Sequence, residues 1–166
     1  MVSKCLRISL LWTVAVLILC ATKLHGQVNY RQFKDLHSTC SRIDSASVIK
    51  DFVALDTLRN LGISGYEDLF LEDLGMNYYY QFLLFGRRAD LDSSISVSRL
   101  GWESYKSSRS LWILAFNLVQ SGQFEEGIGY LETYVELLKE QGVLVDYEQV
   151  YRLYKKVYEG LGKSKG

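Results

Sequence analysis

The sequence predicts an all-α protein, built of antiparallel helical hairpins stacked as a short array behind a leader. Three observations carry this. The chain of 166 residues has no proline, the residue that breaks helix interiors. Between Ser110 and Gly142, apolar residues recur at three- and four-residue spacing on both sides of a short polar turn, Ser121-Gly122-Gln123. Nowhere does a convincing apolar/polar alternation mark a strand, and Val143-Leu144-Val145 is too short to change the class. With 48% hydrophobic residues there is enough apolar material for one core, and 13% aromatics include 12 tyrosines.

The leader comes first. Lys4 and Arg7 make a basic start, Ile8 to Ala21 is almost wholly apolar, and Thr22 to Gly26 is a polar exit. That order fits a secretory signal peptide over residues 1–26. An uncleaved anchor over residues 8–21 and a lipoprotein at Cys20 are the alternatives. Cleavage removes Lys4, Arg7 and Lys23 and no acid, leaving 16 basic residues against 19 acidic and a net charge near −3. Such a balance speaks against nucleic acid as a partner. The expected location is outside the cytoplasm, secreted or periplasmic, with membrane contact only through the leader if it is retained. Only Cys40 would survive cleavage, so no internal disulfide is expected and the fold must stand on its core.

A single all-α domain is expected over residues 27–166. Gln27 to Cys40 suggests a short helix from Tyr30, Phe33 and Leu36. Asp44 or Ser45 can cap the next helix, which runs to Leu61 with Val48, Phe52, Leu55 and Leu58 inward. Gly62 to Gly65 is a turn. Tyr66 to Phe85 is the longest helix, striped by Leu71, Leu74, Tyr78, Phe82 and Phe85. After Gly86-Arg87-Arg88, Asp90 caps a helix from Leu91 to Lys106 with Leu91, Ile95, Ser98, Trp102 and Tyr105 inward. Ser107 and Ser108 restart the chain. The hairpin that follows buries Leu111, Leu114, Ala115 and Leu118 on one helix, and Phe124, Ile128, Leu131, Val135 and Leu138 on the other. Asp146 caps a last helix, Tyr147 to Leu161, with Val150, Tyr151, Tyr154, Val157 and Tyr158 inward.

The hairpins repeat. Leu74-Gly75 with Tyr78 aligns with Leu114-Ala115 and Leu118 at an offset of 40. The second helices align at an offset of 33, pairing Leu91 with Phe124, Ser94 with Gly127, and Ile95 with Ile128. In these features the chain resembles the tetratricopeptide repeat family. A leucine, a small residue and a large residue mark the leading helix. A glycine turn follows, then an aromatic and a small-aliphatic pair, here Gly122, Phe124 and Gly127-Ile128. The resemblance covers about Tyr66 to Leu161, with repeat units near 66–106 and 108–142 and a terminal helix over 146–161. Leu111 stands where that family has its tryptophan, with Trp112 one place on, and the proline at the repeat's end is missing. A generic array of helical hairpins is the other reading.

The resemblance implies a concave groove lined by leading helices. Read by phase, the groove candidates are Glu72, Met76, Tyr79 and Tyr80 in the first unit and Arg109, Trp112, Phe116 and Gln120 in the second. Gln149, Arg152 and Lys156 follow on the last helix. Aromatics and arginine are what binding hot spots favour; packing of Trp112 and Phe116 into the core is the competing account. A protein or peptide is the expected partner, bound without chemistry. The ladder Tyr147, Tyr151, Tyr154 and Tyr158 suits either a capping contact or an edge where a second copy docks. His37 and Cys40 lie three apart, which admits a thiol enzyme as an alternative, but no further ligands complete a metal site. No cofactor, metal or catalytic residue is expected. Glu125-Glu126 and Asp90/Asp92 sit at helix starts, where carboxylates suit the positive end of the dipole.

Overall fold

In the computed structural model the described residues are Tyr30, 45–61 and 65–163. They form six helices and, among themselves, no strand. The protein is all-α. The helices are α1 (Ser45–Leu61), α2 (Glu67–Phe85), α3 (Arg88–Tyr105), α4 (Ser108–Ser121), α5 (Phe124–Glu140) and α6 (Tyr147–Lys163). The leader over residues 1–26, the helix expected over 27–40 and the His37/Cys40 pair lie outside the described residues. No helix among the described residues is long and apolar enough to cross a membrane.

The chain divides into two compact units, 1–67 and 68–166, where the sequence suggests one domain over 27–166. The first contains α1. Val48, Leu55 and Leu58 are buried on it and Phe52 is half-buried, all at helical spacing. Tyr30 is also buried and its ring lies 5.7 Å from that of Tyr66. The Gly65 amide, at φ 84°, donates to Glu67 Oε2 at 2.8 Å.

The second unit is organised around α4. Leu111, Leu114, Ala115, Leu118 and Val119 are all fully buried on it. One side faces α3, where Leu114 and Leu118 meet Leu91 and Ile95, with Tyr79 and Phe82 of α2 at the edge. The other faces α5 and α6, where Ala115 and Val119 meet Leu131, Val150, Leu153 and Val157.

Helix starts and stops follow local chemistry. The Ser107 hydroxyl accepts from the Ser110 amide at 3.1 Å and caps α4. Gly122, at φ 84°, ends α4 with its amide bonded to the Leu118 and Val119 carbonyls, the left-handed stop that glycine takes without strain. Two residues separate α4 from α5, so the pair is an antiparallel hairpin. Asp146 Oδ1 accepts from the Glu148 and Gln149 amides at 3.2 and 3.3 Å, capping α6. Asp90 does not cap. Helix α3 begins earlier, at Arg88, and Asp90 sits in its first turn paired with Arg87 at 2.7 Å.

Small residues set the helix crossings. A Cβ on Gly75 of α2 would lie 2.7 Å from Ser98 Oγ of α3. One on Gly127 of α5 would lie 2.8 Å from Val119 Cγ2 and 3.2 Å from the Val119 nitrogen. The aligned pair Ser94 and Gly127 therefore both stand at close approaches. Ser94 is fully buried and donates to the Gly75 carbonyl at 2.5 Å.

The last helix departs from expectation. Val150, Leu153 and Val157 form its buried stripe, while Tyr151 and Tyr158 point outward at 68% and 64% exposure and Tyr154 is half-buried. A stripe of Val150, Leu153 and Val157 at spacing three and four is the more apolar solution. Tyrosine's polar tip makes it the natural loser when two faces compete for burial. Tyr105 and Phe85 likewise end on the surface, each in the last turn of its helix.

Candidate functional site

Three helices meet at a cavity of about 140 Å³. Its walls are Met76 and Tyr79 from α2, Trp112, Ile113, Phe116 and Asn117 from α4, and Gln149 from α6. Met76 and Tyr79 are three apart, as are Ile113 and Phe116, so each helix offers two adjacent turns of one face. The aromatic walls touch one another. Tyr79 meets Phe116 edge-on at 5.2 Å and 90°. Trp112 lies 6.3 Å from Phe116 and 5.1 Å from Tyr134 of α5. Such ring pairs hold each other's orientation, so the cavity has firm sides.

Burial raises the Tyr79 phenol above its ordinary pKa, with the neighbouring Tyr80 adding to the effect. Burial raises that of Tyr134 too, helped by Asp146. Both phenols are therefore neutral near pH 7 and act as hydrogen-bonding groups, not as charges.

One lining residue is a buried amide. Asn117 is fully buried. Its Nδ2 donates to Ser94 Oγ at 2.6 Å, and Ser94 in turn donates to the Gly75 carbonyl. This order fixes the amide: the serine hydrogen is used on Gly75, so Ser94 can only accept from Asn117. Asn117 Oδ1 is left as a buried acceptor without a partner. An unsatisfied buried acceptor costs about 1–3 kcal/mol.

The candidates read from the sequence do not all share the cavity. Met76, Tyr79, Trp112 and Phe116 come together in the cavity wall, with Gln149 beside them. Trp112 and Phe116 also pack against the α4–α5–α6 core, half-buried. Tyr80 is half-buried with its ring 6.2 Å from Tyr79. Gln120, one turn beyond Phe116, accepts from Lys156 of α6. Arg109 and Arg152 are exposed; Arg109 lies 3.8 Å from Glu72, and Arg152 pairs with Glu148 on its own helix.

Glu72 is spent elsewhere. It is only 7% exposed and accepts from the Ser107 hydroxyl at 2.6 Å. Ser107 thus caps α4 with its lone pairs and binds Glu72 with its hydrogen, placing a carboxylate at the positive end of α4. Glu72 is a fastener between α2 and the start of α4, not a groove wall.

Ile113 and Asn117 line the cavity and were missed by phase reading. Asn117 carries a visible sign, an amide set between Phe116 and Leu118 in the apolar run of the helix. Among the described residues no group of three His, Cys, Asp or Glu side chains is placed to hold a metal ion. No protein-family model matches the chain, and no curated protein and no solved structure is significantly similar to it.

Proposed function

We propose that the protein is a non-enzymatic scaffold that binds a protein or peptide in a groove between α2, α4 and α6. The observation that carries this reading is the convergence of Met76, Tyr79, Trp112 and Phe116, from two separate helices, on one cavity. A firm aromatic hollow is what a binding hot spot needs, because a side chain entering it leaves water without disordering its host. Arg109 and Arg152 keep their guanidinium groups largely in solvent, where they are able to receive carboxylates of an extended partner. Helices in this arrangement work as a rigid mould, and catalysis has no part in it.

The repeat pattern supports a tetratricopeptide-like stacking of the hairpins α2–α3 and α4–α5, with α6 as the terminal helix. The leader pattern supports action after export. The decisive experiment is capture of partners by the wild type and by a Trp112→Ala/Arg152→Ala double variant. Loss of partners with the helical circular dichroism unchanged is the expected result. Equal recovery by a folded double variant removes the groove assignment.

A further inference from the structure

We infer that the outer face of α6 pairs antiparallel with α6 of a second copy of this chain, about a two-fold axis level with Arg152 and Leu153. The inference goes beyond the groove reading and does not rest on it. Three observations carry it: a row of apolar side chains left in solvent, the symmetry of that row, and the charges along its edge.

The row is Tyr147, Tyr151, Tyr154 and Tyr158. Tyr147, Tyr151 and Tyr158 are exposed, and Leu144, just ahead of the helix, is 96% exposed. Tyr154 and Leu161 are half-buried beside their own core. Helix α6 already buries Val150, Leu153 and Val157, so the tyrosines form a second apolar face next to the first. Single exposed apolar residues are ordinary, but a contiguous row of them marks an interaction surface. Tyrosine is enriched at such surfaces, where its ring leaves water and its hydroxyl keeps a partner. Tyr154 and Tyr158 are stacked, with centroids 6.5 Å apart and planes at 21°. Part of the row is therefore set before a partner arrives.

The spacing names the partner. The tyrosines follow one another at steps of 4, 3 and 4 residues, and Leu144 and Leu161 add a step of 3 at either end. Alternating steps of three and four are those of a coiled-coil seam. Here the order of residues and the order of steps both read the same in either direction. A two-fold axis through the midpoint sets Tyr151 against Tyr154 of the second copy, Tyr147 against Tyr158, and Leu144 against Leu161. A closed two-fold contact requires such self-complementarity. A different partner requires no symmetry in the row.

The charges agree with this pairing. Glu148 and Lys155 are seven residues apart and border the row on one edge. Their midpoint falls within one residue of the midpoint of the tyrosines. The two-fold axis lays Glu148 of each copy alongside Lys155 of the other, whereas a parallel pair sets like charge against like. Both side chains are largely in solvent and are held only within their own helix, Glu148 by Arg152 and Lys155 by Glu159 at 3.9 Å. They are free to exchange partners. The carboxylates of Glu148 and Glu159 on this edge disfavour an anionic lipid surface as the occupant. Gln149, the α6 residue in the cavity wall, stands two residues from Tyr151 and so about 200° round the helix. Pairing therefore leaves that cavity open.

Sedimentation equilibrium of the full chain tests the proposal. One helix pair makes a small specific interface, so association is sought at about 100 μM. The wild type is expected to be a dimer that dissociates on dilution. Tyr151→Glu should weaken the dimer about ten-fold or more, with the helical circular dichroism unchanged because that ring lies in solvent. A charge exchange supplies the second measurement. Glu148→Lys alone and Lys155→Glu alone should each weaken self-association about three-fold or more, since each reverses two contacts per dimer. An equimolar mixture of these two single variants should associate as tightly as the wild type, because opposite charges meet again on both edges. A merely structural effect of either substitution does not recover on mixing. A wild type that stays monomeric, a dimer unmoved by Tyr151→Glu, or a mixture no tighter than the single variants overturns the proposal. A monomeric wild type that pellets with vesicles of phosphatidylserine and phosphatidylcholine overturns it too and assigns the row to a lipid surface.

Discussion

Two glycines lie two residues apart on α5 and should respond to alanine in opposite directions. Gly129 is exposed, and a Cβ there meets nothing within 4 Å. Alanine removes the conformational cost of an interior helical glycine, so Gly129→Ala should stabilise by about 1 kcal/mol. Gly127 gains the same helical term but faces α4. Its new Cβ would stand 2.8 Å from Val119 Cγ2, where carbon atoms prefer about 3.5–4.0 Å. Val119 is fully buried and β-branched, so its methyl cannot turn aside cheaply. Its backbone nitrogen, 3.2 Å away, cannot turn at all. Relief requires the two helices to part by a few tenths of an ångström to about 1 Å, and overpacking of this kind costs about 1–3 kcal/mol. After the helical gain, Gly127→Ala should be net destabilising by about 1 kcal/mol, and Gly127→Leu by about 3 kcal/mol or more. Urea titration followed by far-ultraviolet circular dichroism measures both, read as a shift of midpoint at constant slope. If Gly127→Ala stabilises as much as Gly129→Ala, the close α4–α5 crossing is refuted.

Four further outcomes are expected. Asp146→Ala removes the oxygen that accepts from two α6 amides and should cost about 1 kcal/mol in the same titration. Lys106 ends α3 at φ 53°, a left-handed position for a residue with a Cβ. Lys106→Gly should stabilise by about 0.5–1 kcal/mol, the relief of strain exceeding the lost contact of its ammonium with the Trp102 ring, 4.9 Å away. Ser94→Ala strands the buried Asn117 Nδ2 and should destabilise by about 1–3 kcal/mol, measured by thermal melting. In an alkaline titration at 295 nm, Tyr79, Tyr134 and Tyr154 should ionise above the ordinary tyrosine value of 10.0, since burial raises all three. A raised folded value means that the folded state holds the proton more tightly. Their contribution is therefore full below the ordinary value of 10.0 and declines as pH rises through the folded values. Tyr79→Phe should flatten part of that alkaline decline.

Much of the helical layout was legible because its punctuation is local. Ser107, Gly122 and Asp146 act within one turn of themselves, and the apolar stripe of α4 is unbroken from Leu111 to Leu118. What escaped reading is polar and buried. Helix α2 hides Glu72, Asp73, Asn77 and Gln81 at 4–7% exposure, so its hydropathy names no single inward face. Their burial becomes reasonable only with the polar side chains that partner them. Gln81 bonds Asn77 at 2.9 Å and accepts from Arg87 at 2.9 Å; Arg87 then reaches Asp90. Arg87 and Arg88 read as a solvated turn, yet Arg88 also donates to the Ser121 carbonyl at 3.4 Å, at the negative end of α4. In the site, Met76, Tyr79, Trp112 and Phe116, picked out by helical phase on two helices, line one cavity. Phase could not show that Glu72, one turn before Met76, is taken by Ser107, because that pairing spans 35 residues.

The central position of α4 has a consequence for how the chain gains its structure. Its buried residues serve two cores at once, Leu114 and Leu118 on one side and Ala115 and Val119 on the other. In an ordinary linear array each unit leans on its neighbours alone, and pieces of the array persist when others melt. Here both cores share one load-carrying rod, so neither half outlasts it. Amide exchange from α4 should then require opening of the whole second unit, while the outer turns of α6 exchange through fraying. Shortening or duplicating the array at the α4–α5 hairpin would part α4 from one of the two cores it serves, which sets a lower limit on the size of fragment able to fold.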